Sequence, residues 1–160
     1  MATNPSSPAE AALIAAMKEL LGNVYVMYMR AHGAHWNIEG PLFSSLHDFF
    51  GEIYTDVFGS ADAIAEGIRQ HGAYAPFNLS HLVKLSTIPD GGMTFEGGGS
   101  PSPLLQDLYD VNEAVRASLK RAYRAAEQAE DYGLSNFFQD RLGMHQKWMW
   151  QIQAHLGLGK

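Results

Sequence analysis

His47, Asp62 and Glu66 are candidate metal ligands that lie in one stretch of this sequence. The two acids are spaced i, i+4, so both carboxylates leave the same face of a helix, as a chelating pair requires. Carboxylates at this spacing are usually solvated surface groups. These two stand among small and apolar residues, in Ser60-Ala61-Asp62-Ala63-Ile64-Ala65-Glu66-Gly67-Ile68, which favours buried or ligated carboxylates.

The sequence lacks the patterns of the common intramolecular sites. A di-metal site inside one four-helix bundle needs Glu-x-x-His on two helices, and this pattern does not occur. The His-Glu-x-x-His of zinc proteases, the Gly-x-Ser-x-Gly elbow and the Walker loop are also missing. The absence of cysteine excludes thiolate ligands and disulfides. Any bound metal must therefore use His, Asp or Glu.

The helix predicted to carry these residues is too long for them to share one ion within a chain. His47 and Asp62 are 15 residues apart, which is about 22 Å along a continuous helix. If two copies of the helix cross antiparallel about a two-fold axis near residues 54–57, His47 of one copy lies beside Asp62 and Glu66 of the other. The spacing therefore predicts two equivalent sites at a dimer interface.

Other residues fit the same interfacial site. His35, at the end of the first predicted helix, is one chain reversal away from His47 and could complete the site, the alternative being a helix-terminal histidine satisfied by water. Two imidazoles and two carboxylates form a ligand set suited to Fe(II), Zn or Mn. Gly51 and Gly59 would let the two helices approach closely, which explains glycines that otherwise cost about 1 kcal/mol each within a helix.

Apolar residues recur at helical spacing in four long segments, which predicts an all-α chain. The predicted helices run from a Ser7 cap to about Trp36, from about Phe43 to Gln70, from a Ser102-Pro103 cap to a Gly133 stop, and from there to Gly157. The long crossover between the second and third helices, with one short helix near Leu79 to Thr87, favours a ferritin-like four-helix bundle. We expect one domain over residues 1–160, with residues 1–7 as a short flexible tail.

The net charge narrows the range of partners. With 11 Lys and Arg against 17 Asp and Glu, the formal net charge is -6, which argues against attraction to nucleic acid or anionic lipid and favours cations. No run of about 18 apolar residues predicts a membrane span. No export signal is visible at the N-terminus, so we expect a cytoplasmic protein.

The residues around the predicted site resemble a known family. The segments His35-Trp36-Asn37-Ile38-Glu39-Gly40-Pro41-Leu42-Phe43, Leu46-His47-Asp48-Phe49-Phe50 and Asp62-Ala63-Ile64-Ala65-Glu66 are similar to those of the DNA-binding protein from starved cells (Dps) family, or miniferritins. The distances from His35 to His47, Asp62 and Glu66, of 12, 27 and 31 residues, match that family's ferroxidase pattern. His145-Gln146-Lys147-Trp148-Met149-Trp150 resembles its last-helix motif, and the likeness extends from about Glu10 to Gly157.

The resemblance implies a hollow dodecamer of four-helix subunits, built from two-fold dimers. It would oxidise Fe(II), with hydrogen peroxide as the preferred oxidant, store ferric iron and so limit oxidative damage. By the same resemblance, His35 and His47 bind iron from one subunit, and Asp62 and Glu66 bind it from the two-fold partner. Trp36 would lie beside the site and quench radical equivalents, the alternative being a core aromatic residue.

Three positions depart from the family pattern. Gly51 stands where the family usually has Asp or Glu, and Glu52 points about 140° away from His47 around the helix. Gly67 stands where the family has Arg, although Arg69 is close in sequence. The acidic lining expected where iron enters the shell is replaced by Ser135-Asn136, with Glu130, Asp131 and Asp140 nearby.

Two other functions stay open from the sequence. One is a redox-poor shell that holds Zn or Fe at the same ligands, since Gly51 removes one ligand. The other is a DNA-compacting shell, which the termini disfavour because Met1 to Pro8 has no basic side chain and the C-terminus offers only Lys160. Of the remaining histidines, His145 lies on an apolar stripe and is expected to be a hydrogen-bonded core residue, and His32 a surface one.

Overall fold

The structure is a computed structural model that describes residues 5–89 and 99–157, and these residues contain helices and no strand. The helices are α1 (Pro8–Asn37), α2 (Phe43–Gly59), α3 (Ala61–Gln70), α4 (Leu79–Leu85), α5 (Pro101–Gln128) and α6 (Tyr132–His155). Helix α1 packs against α2 and α5, and α5 packs against α6. The predicted all-α, ferritin-like bundle with a short helix in its crossover is confirmed.

Helix α1 begins at the predicted cap. The hydroxyl of Ser7 accepts a hydrogen bond from the Glu10 amide at 3.1 Å, and Pro8 occupies the first helical position. The hydroxyl and amide of Ser6 donate to the Glu10 carboxylate, and these bonds, followed by a bond from His71, lower the pKa of Glu10 to about 2. The first turn is thus held by side chains on both sides of the cap.

The second predicted helix, from Phe43 to Gln70, is interrupted at Ser60. The Ser60 hydroxyl donates to the Val57 carbonyl at 2.7 Å, and its amide donates to the same carbonyl at 3.2 Å. This local turn separates α2 from α3 by a single residue. The expectation of one continuous helix was wrong here, because a serine bonding back to its own turn competes with the helical ladder.

The predicted stop at Gly133 was also wrong. Helix α5 ends at Gln128, and the chain reverses through Glu130, whose φ is 56°. The Asp131 carboxylate then accepts a hydrogen bond from the Leu134 amide at 2.8 Å, which starts α6 at Tyr132. The glycine therefore lies in the first turn of α6, and the boundary is set by a left-handed Glu and an Asp cap.

The crossover is held closely against α1. The Asn23 side chain is buried and accepts hydrogen bonds from the Thr87 amide at 2.8 Å and the Ser86 hydroxyl at 2.7 Å. A Cβ at Gly22 would lie 2.6 Å from the Leu82 carbonyl oxygen, so only glycine permits this contact. The predicted short helix is confirmed and ends at Leu85.

The crossover rejoins the bundle beside the end of α1, where the Glu39 amide donates to the Gly99 carbonyl at 3.0 Å. Part of the predicted glycine-rich loop and of the predicted tail falls on residues 90–98 and 1–4, which lie outside the described residues. Helix α5 begins at Pro101 after Ser100, slightly before the predicted Ser102-Pro103 cap. Both ends of the crossover therefore contact the helix that carries His35.

The interior is one apolar core to which five of the described helices contribute their most buried side chains. These include Leu13, Met17, Leu20, Met27, Phe50, Ile53, Ile64, Ile68, Leu108 and Phe138. Along the described parts of the chain, no helix combines the length and apolar character needed to cross a membrane. The core places the ends of α1 and the start of α2 side by side, and the predicted histidines lie there.

Candidate metal centre

His35 and His47 face each other across the reversal between α1 and α2. His35 lies in the last turn of α1, and Gly40, with a φ of 94°, turns the chain so that α2 begins at Phe43. The two imidazole rings are stacked, with centroids 3.6 Å apart and planes 23° apart. The structure therefore brings together the two histidines that the sequence predicted on one side of the site.

The two histidines fix each other's protonation through reciprocal hydrogen bonds. Nδ1 of His35 donates to the His47 carbonyl at 2.6 Å, and Nδ1 of His47 donates to the His35 carbonyl at 2.8 Å. Because a carbonyl oxygen can only accept, both Nδ1 atoms carry a proton, and the neutral form of each ring then has its lone pair on Nε2. Metal-binding imidazoles usually have this arrangement, with one nitrogen anchored and the other available to the ion.

Aromatic residues and a cavity surround the pair. Phe43 stacks on His47 with centroids 5.0 Å apart, and Tyr54 meets His35 edge-on at 5.2 Å. The adjoining cavity has a volume of about 640 Å³. It is lined by His35, His47, Asp48, Gly51, Glu52, Tyr54, Thr55, Asp56 and Trp148. Both histidines therefore border a space that admits an ion and small solutes.

Gly51 is the position of this wall that lies one turn after His47. A Cβ built there would stand 3.5 Å from Cε1 and Nδ1 of His35 and 4.0 Å from a ring carbon of Tyr54, which is ordinary van der Waals contact. A side chain would thus fit at this position and would extend beside the His35 ring. The glycine leaves that space without a donor group.

Asp62 and Glu66 do not join the histidines within one chain. Both lie on α3, and both are exposed in a single chain, so of the predicted buried or ligated carboxylates the first alternative does not apply within one subunit. In residues 5–89 and 99–157, no group of three His, Cys, Asp or Glu side chains is close enough to hold an ion. Within the described residues the two imidazoles therefore stand without a third ligand, and the carboxylates lie elsewhere on the subunit surface.

A partly buried ion pair adjoins the same cavity, and the sequence did not predict it. Both carboxylate oxygens of Asp56 accept hydrogen bonds from Arg141, at 2.8 and 2.7 Å, and one also accepts from Nε1 of Trp148 at 2.9 Å. Burial raises the pKa of Asp56, but these hydrogen bonds outweigh it and hold the pKa below its usual value. Since 85 residues separate Asp56 from Arg141, only the alternation of charge with apolar residues could have hinted at the pair.

His145 continues this network into the core. Its Nδ1 donates to the side-chain oxygen of Asn112 at 2.6 Å, and Asn112 returns a bond to the His145 carbonyl at 2.9 Å. Burial, followed by the charge of Arg141, lowers the pKa of His145 to about 3. The predicted hydrogen-bonded core histidine is confirmed, since both ring nitrogens face protein groups.

Trp36 and His32 lie on the outer side of α1. Trp36 is 58% exposed, which excludes the alternative of a core aromatic residue in a single chain. Its ring lies 4.1 Å from that of His32, which also stacks on Tyr54 at 4.1 Å and bonds the Tyr28 hydroxyl at 3.1 Å. Partial burial, followed by the proximity of His35, lowers the pKa of His32. His32 is therefore a partly buried member of an aromatic group and not a simple surface histidine.

Comparison with known proteins identifies the family of this chain. A family model described as a ferritin-like domain matches residues 14–160. An uncharacterized protein from Haemophilus influenzae is 34% identical over 86% of this chain and 84% of its own length. A DNA protection during starvation protein from Helicobacter pylori is 26% identical over 88% of this chain and 95% of its own length. A Dps structure from Vibrio cholerae O1, described as one of the ferritin-like diiron-carboxylate proteins, is 30% identical, covers 98% of both chains and has a TM-score of 0.85.

The chain belongs to the Dps family of miniferritins. Iron handling is the general function that this membership indicates. In this Dps chain, His35 and His47 are held by reciprocal hydrogen bonds beside the cavity.

The structure explains one departure of this Dps chain from the family pattern. A Cβ at Gly67 would lie 3.1 Å from a methyl group of Leu134 and 3.2 Å from the sulfur of Met17, so α3 packs tightly against its neighbours here. A long charged side chain would have to displace these core groups. Arg69 does not replace it toward the core, since it donates to the Ala73 carbonyl at 2.7 Å.

Two of the residues predicted near the iron entry at the start of α6, Asp131 and Ser135, form hydrogen bonds within the subunit. One oxygen of Asp131 caps α6, and the other lies 3.1 Å from Nε2 of His71, whose Nδ1 lies 3.1 Å from Glu10. Ser135 is buried and donates to Glu127 at 3.2 Å. Two of the five residues considered for iron entry are thus engaged within the subunit.

Proposed function

We propose that this Dps protein sequesters iron by oxidising Fe(II) at sites between subunits and storing the ferric product in a hollow shell. The observation that carries the proposal is the histidine pair whose Nδ1 atoms are both anchored and whose Nε2 lone pairs are both free. Two imidazoles, together with the carboxylates of Asp48 and Glu52, on the wall of a cavity of about 640 Å³ suit Fe(II) as a substrate.

The other half of each site would come from a second copy of the chain. We assign the partner subunit's Asp62 and the partner subunit's Glu66 as the carboxylate ligands. This assignment is supported by their i, i+4 spacing on α3 and by their exposure in a single chain, which leaves both free to meet a neighbouring subunit. Ligands divided in this way would make the dimer the smallest active unit.

Hydrogen peroxide is the proposed oxidant. Two Fe(II) ions each lose one electron, and one peroxide molecule takes up both electrons and two protons to form two water molecules. Because the overall reaction reduces peroxide completely to water, hydroxyl radical is not among its products, which is the protective role we propose. The exposed Trp36, which lies beyond His32, is proposed to quench the radical equivalents that remain.

We propose a dodecamer built from two-fold dimers as the functional assembly, in keeping with the likeness to the Dps chain of Vibrio cholerae over 98% of both chains. We also propose a cytoplasmic location, to which the complete absence of cysteine is suited. The mineral would occupy the interior of the shell.

An anaerobic Fe(II) titration followed by peroxide tests the oxidation. We expect fast formation of ferric absorbance that saturates at a fixed ratio of iron to subunit, and a loss of at least about 100-fold in rate in His47→Ala, because removing a ligand should exceed the effect of removing an outer-shell partner. His81→Ala, which removes an exposed histidine of α4, is the matched control and should keep the native rate. Native-like oxidation by His47→Ala would contradict the proposal.

A mixing experiment tests whether the sites are shared between subunits. One variant combines His35→Ala with His47→Ala, and the other combines Asp62→Ala with Glu66→Ala. Each should be inactive alone, whereas random co-assembly should restore about a quarter of the native sites, since only mixed dimers contain one complete site. If every mixture stays inactive while both variants assemble, the ligands are not divided between two-fold partners.

A redox-poor shell that holds Zn or Fe at the same ligands is the second candidate, and Gly51 is the observation that favours it. Iron binding with no acceleration of oxidation over the His47→Ala variant would select this function. A DNA-compacting shell is not proposed, because the net charge is -6 and we expect no DNA retardation at sub-micromolar protein and physiological salt.

A further inference from the structure

Gly51 is the residue of α2 that lies beside the histidine pair and has no side chain to offer an ion. It lies one helical turn after His47, so its side-chain direction is on the same face of α2. A Cβ there would stand 3.5 Å from two atoms of the His35 ring and would clash with nothing. Position 51 therefore has room for a side chain beside His35, and glycine leaves this position without a donor atom.

Asp48 and Glu52 also line the cavity and are exposed, but neither converges with the histidine pair among the described residues. Asp56 lines the same cavity, but Arg141 binds both of its oxygens and Trp148 binds one of them. In the parts of the chain that the structure describes, no third His, Asp or Glu converges with the histidine pair. One subunit therefore offers two donor atoms, the Nε2 atoms of His35 and His47.

Four donors are then available to each proposed site, two from each subunit. Paired ions in proteins lie about 3.5–4 Å apart, and each needs ligands of its own besides any carboxylate that bridges them. Two imidazoles and two carboxylates can complete the protein shell of one ion with open positions, and a second ion would then have no ligand side chain of its own.

We infer that each interfacial site binds one divalent ion tightly and not two, because Gly51 withholds a donor from this chain's half of the site. This inference rests on the proposed function, since it assumes the ligands named there. It concerns binding alone, so it can be tested with ions that undergo no oxidation.

Zn(II) titration of the assembled protein against a chromophoric chelator counts the tightly bound ions. We expect one per subunit in the native protein and in Gly51→Ala, which adds the Cβ that fits but no donor. Gly51→Asp should bind a second ion at least about tenfold more tightly than the native protein does. Mn(II) paramagnetic resonance should then show isolated ions in the native protein and magnetically coupled pairs in Gly51→Asp.

The outcomes separate the inference from the proposed function. Two tight ions per subunit in the native protein, lost in His47→Ala, would overturn the inference and leave the interfacial site in place. A Gly51→Asp protein that assembles and still binds one ion would also overturn it, because position 51 would not be the limiting group. Absence of tight binding in the native protein would overturn both.

Discussion

The histidines on the two sides of α2 differ in how many of their ring nitrogens are bonded to protein groups. On the open side, His35 and His47 use one nitrogen each for the protein and keep the other free beside the cavity. On the closed side, His145 uses both nitrogens, on Asn112 and on Arg141, and is almost completely buried. A histidine's role in this molecule therefore depends on whether its second ring nitrogen keeps a free lone pair, and not on its spacing in the sequence.

Truncation of the closed side should have the largest effect. Asn112→Ala would leave the buried Nδ1–H of His145 without an acceptor and open a cavity, so we expect a loss of about 2–4 kcal/mol in the free energy of unfolding. Denaturant unfolding of the assembled protein at fixed concentration measures it. Asn136→Ala, at an exposed position of α6, should change little. A small effect of Asn112→Ala would mean that the closed side is not a sealed network.

Acid should sharpen the same contrast. The pKa of His145 falls from 6.5 to about 3 in the folded protein, chiefly because of burial. The folded state therefore holds this imidazole neutral, and its contribution to stability is present above pH 6.5 and declines as the pH falls toward 3, by at most about 1.4 kcal/mol per pH unit. His145→Gln, which cannot titrate, should flatten this part of the profile. An unchanged slope between pH 6 and pH 4 would contradict the assignment.

The smallest predicted effect concerns two helix glycines that have free space around them in a single chain. Within one chain nothing lies within 4 Å of a Cβ at Gly59 or at Gly143, so alanine at either position should favour the helix by about 0.5–1 kcal/mol. Gly59 is one of the two glycines at which we predict a close crossing between α2 and its copy in the dimer. We therefore expect Gly59→Ala to raise the concentration at which the dimer dissociates, and Gly143→Ala not to. Equal behaviour of the two variants would show that the crossing does not pass Gly59.

The sequence predicted the bundle well, because its signals are local. The Ser7 cap, the apolar stripe through Leu13, Met17 and Leu20, and the short crossover helix all depend on neighbouring residues, and the structure has them. The breaks at Ser60 and Glu130 were not predicted, since each depends on one backbone turn that several residue types can adopt. Gly133 was predicted to end a helix, but the Asp131 cap starts α6 before it, so that Gly133 lies in the first turn of α6.

The site was predictable in part for the same reason. Spacing along two helices identified His35 and His47 and showed that one chain could not complete the site, and the structure has them paired with the acids apart. Reciprocal hydrogen bonds across a reversal and the Asp56–Arg141 pair join residues distant in sequence. Such contacts depend on how helices pack, which a single sequence without its relatives does not reveal.

The mutual anchoring of His35 and His47 also has an entropic consequence. Immobilising a free side chain on binding generally opposes association by about 0.5–1.5 kcal/mol. Both imidazoles are already held at Nδ1 before an ion arrives, so this half of the centre is preorganised. The exposed carboxylates of α3 are not held in this way. In the proposed dimer they would become ordered only when two subunits associate. An ion captured there would therefore strengthen the dimer by the same factor by which the dimer strengthens its capture.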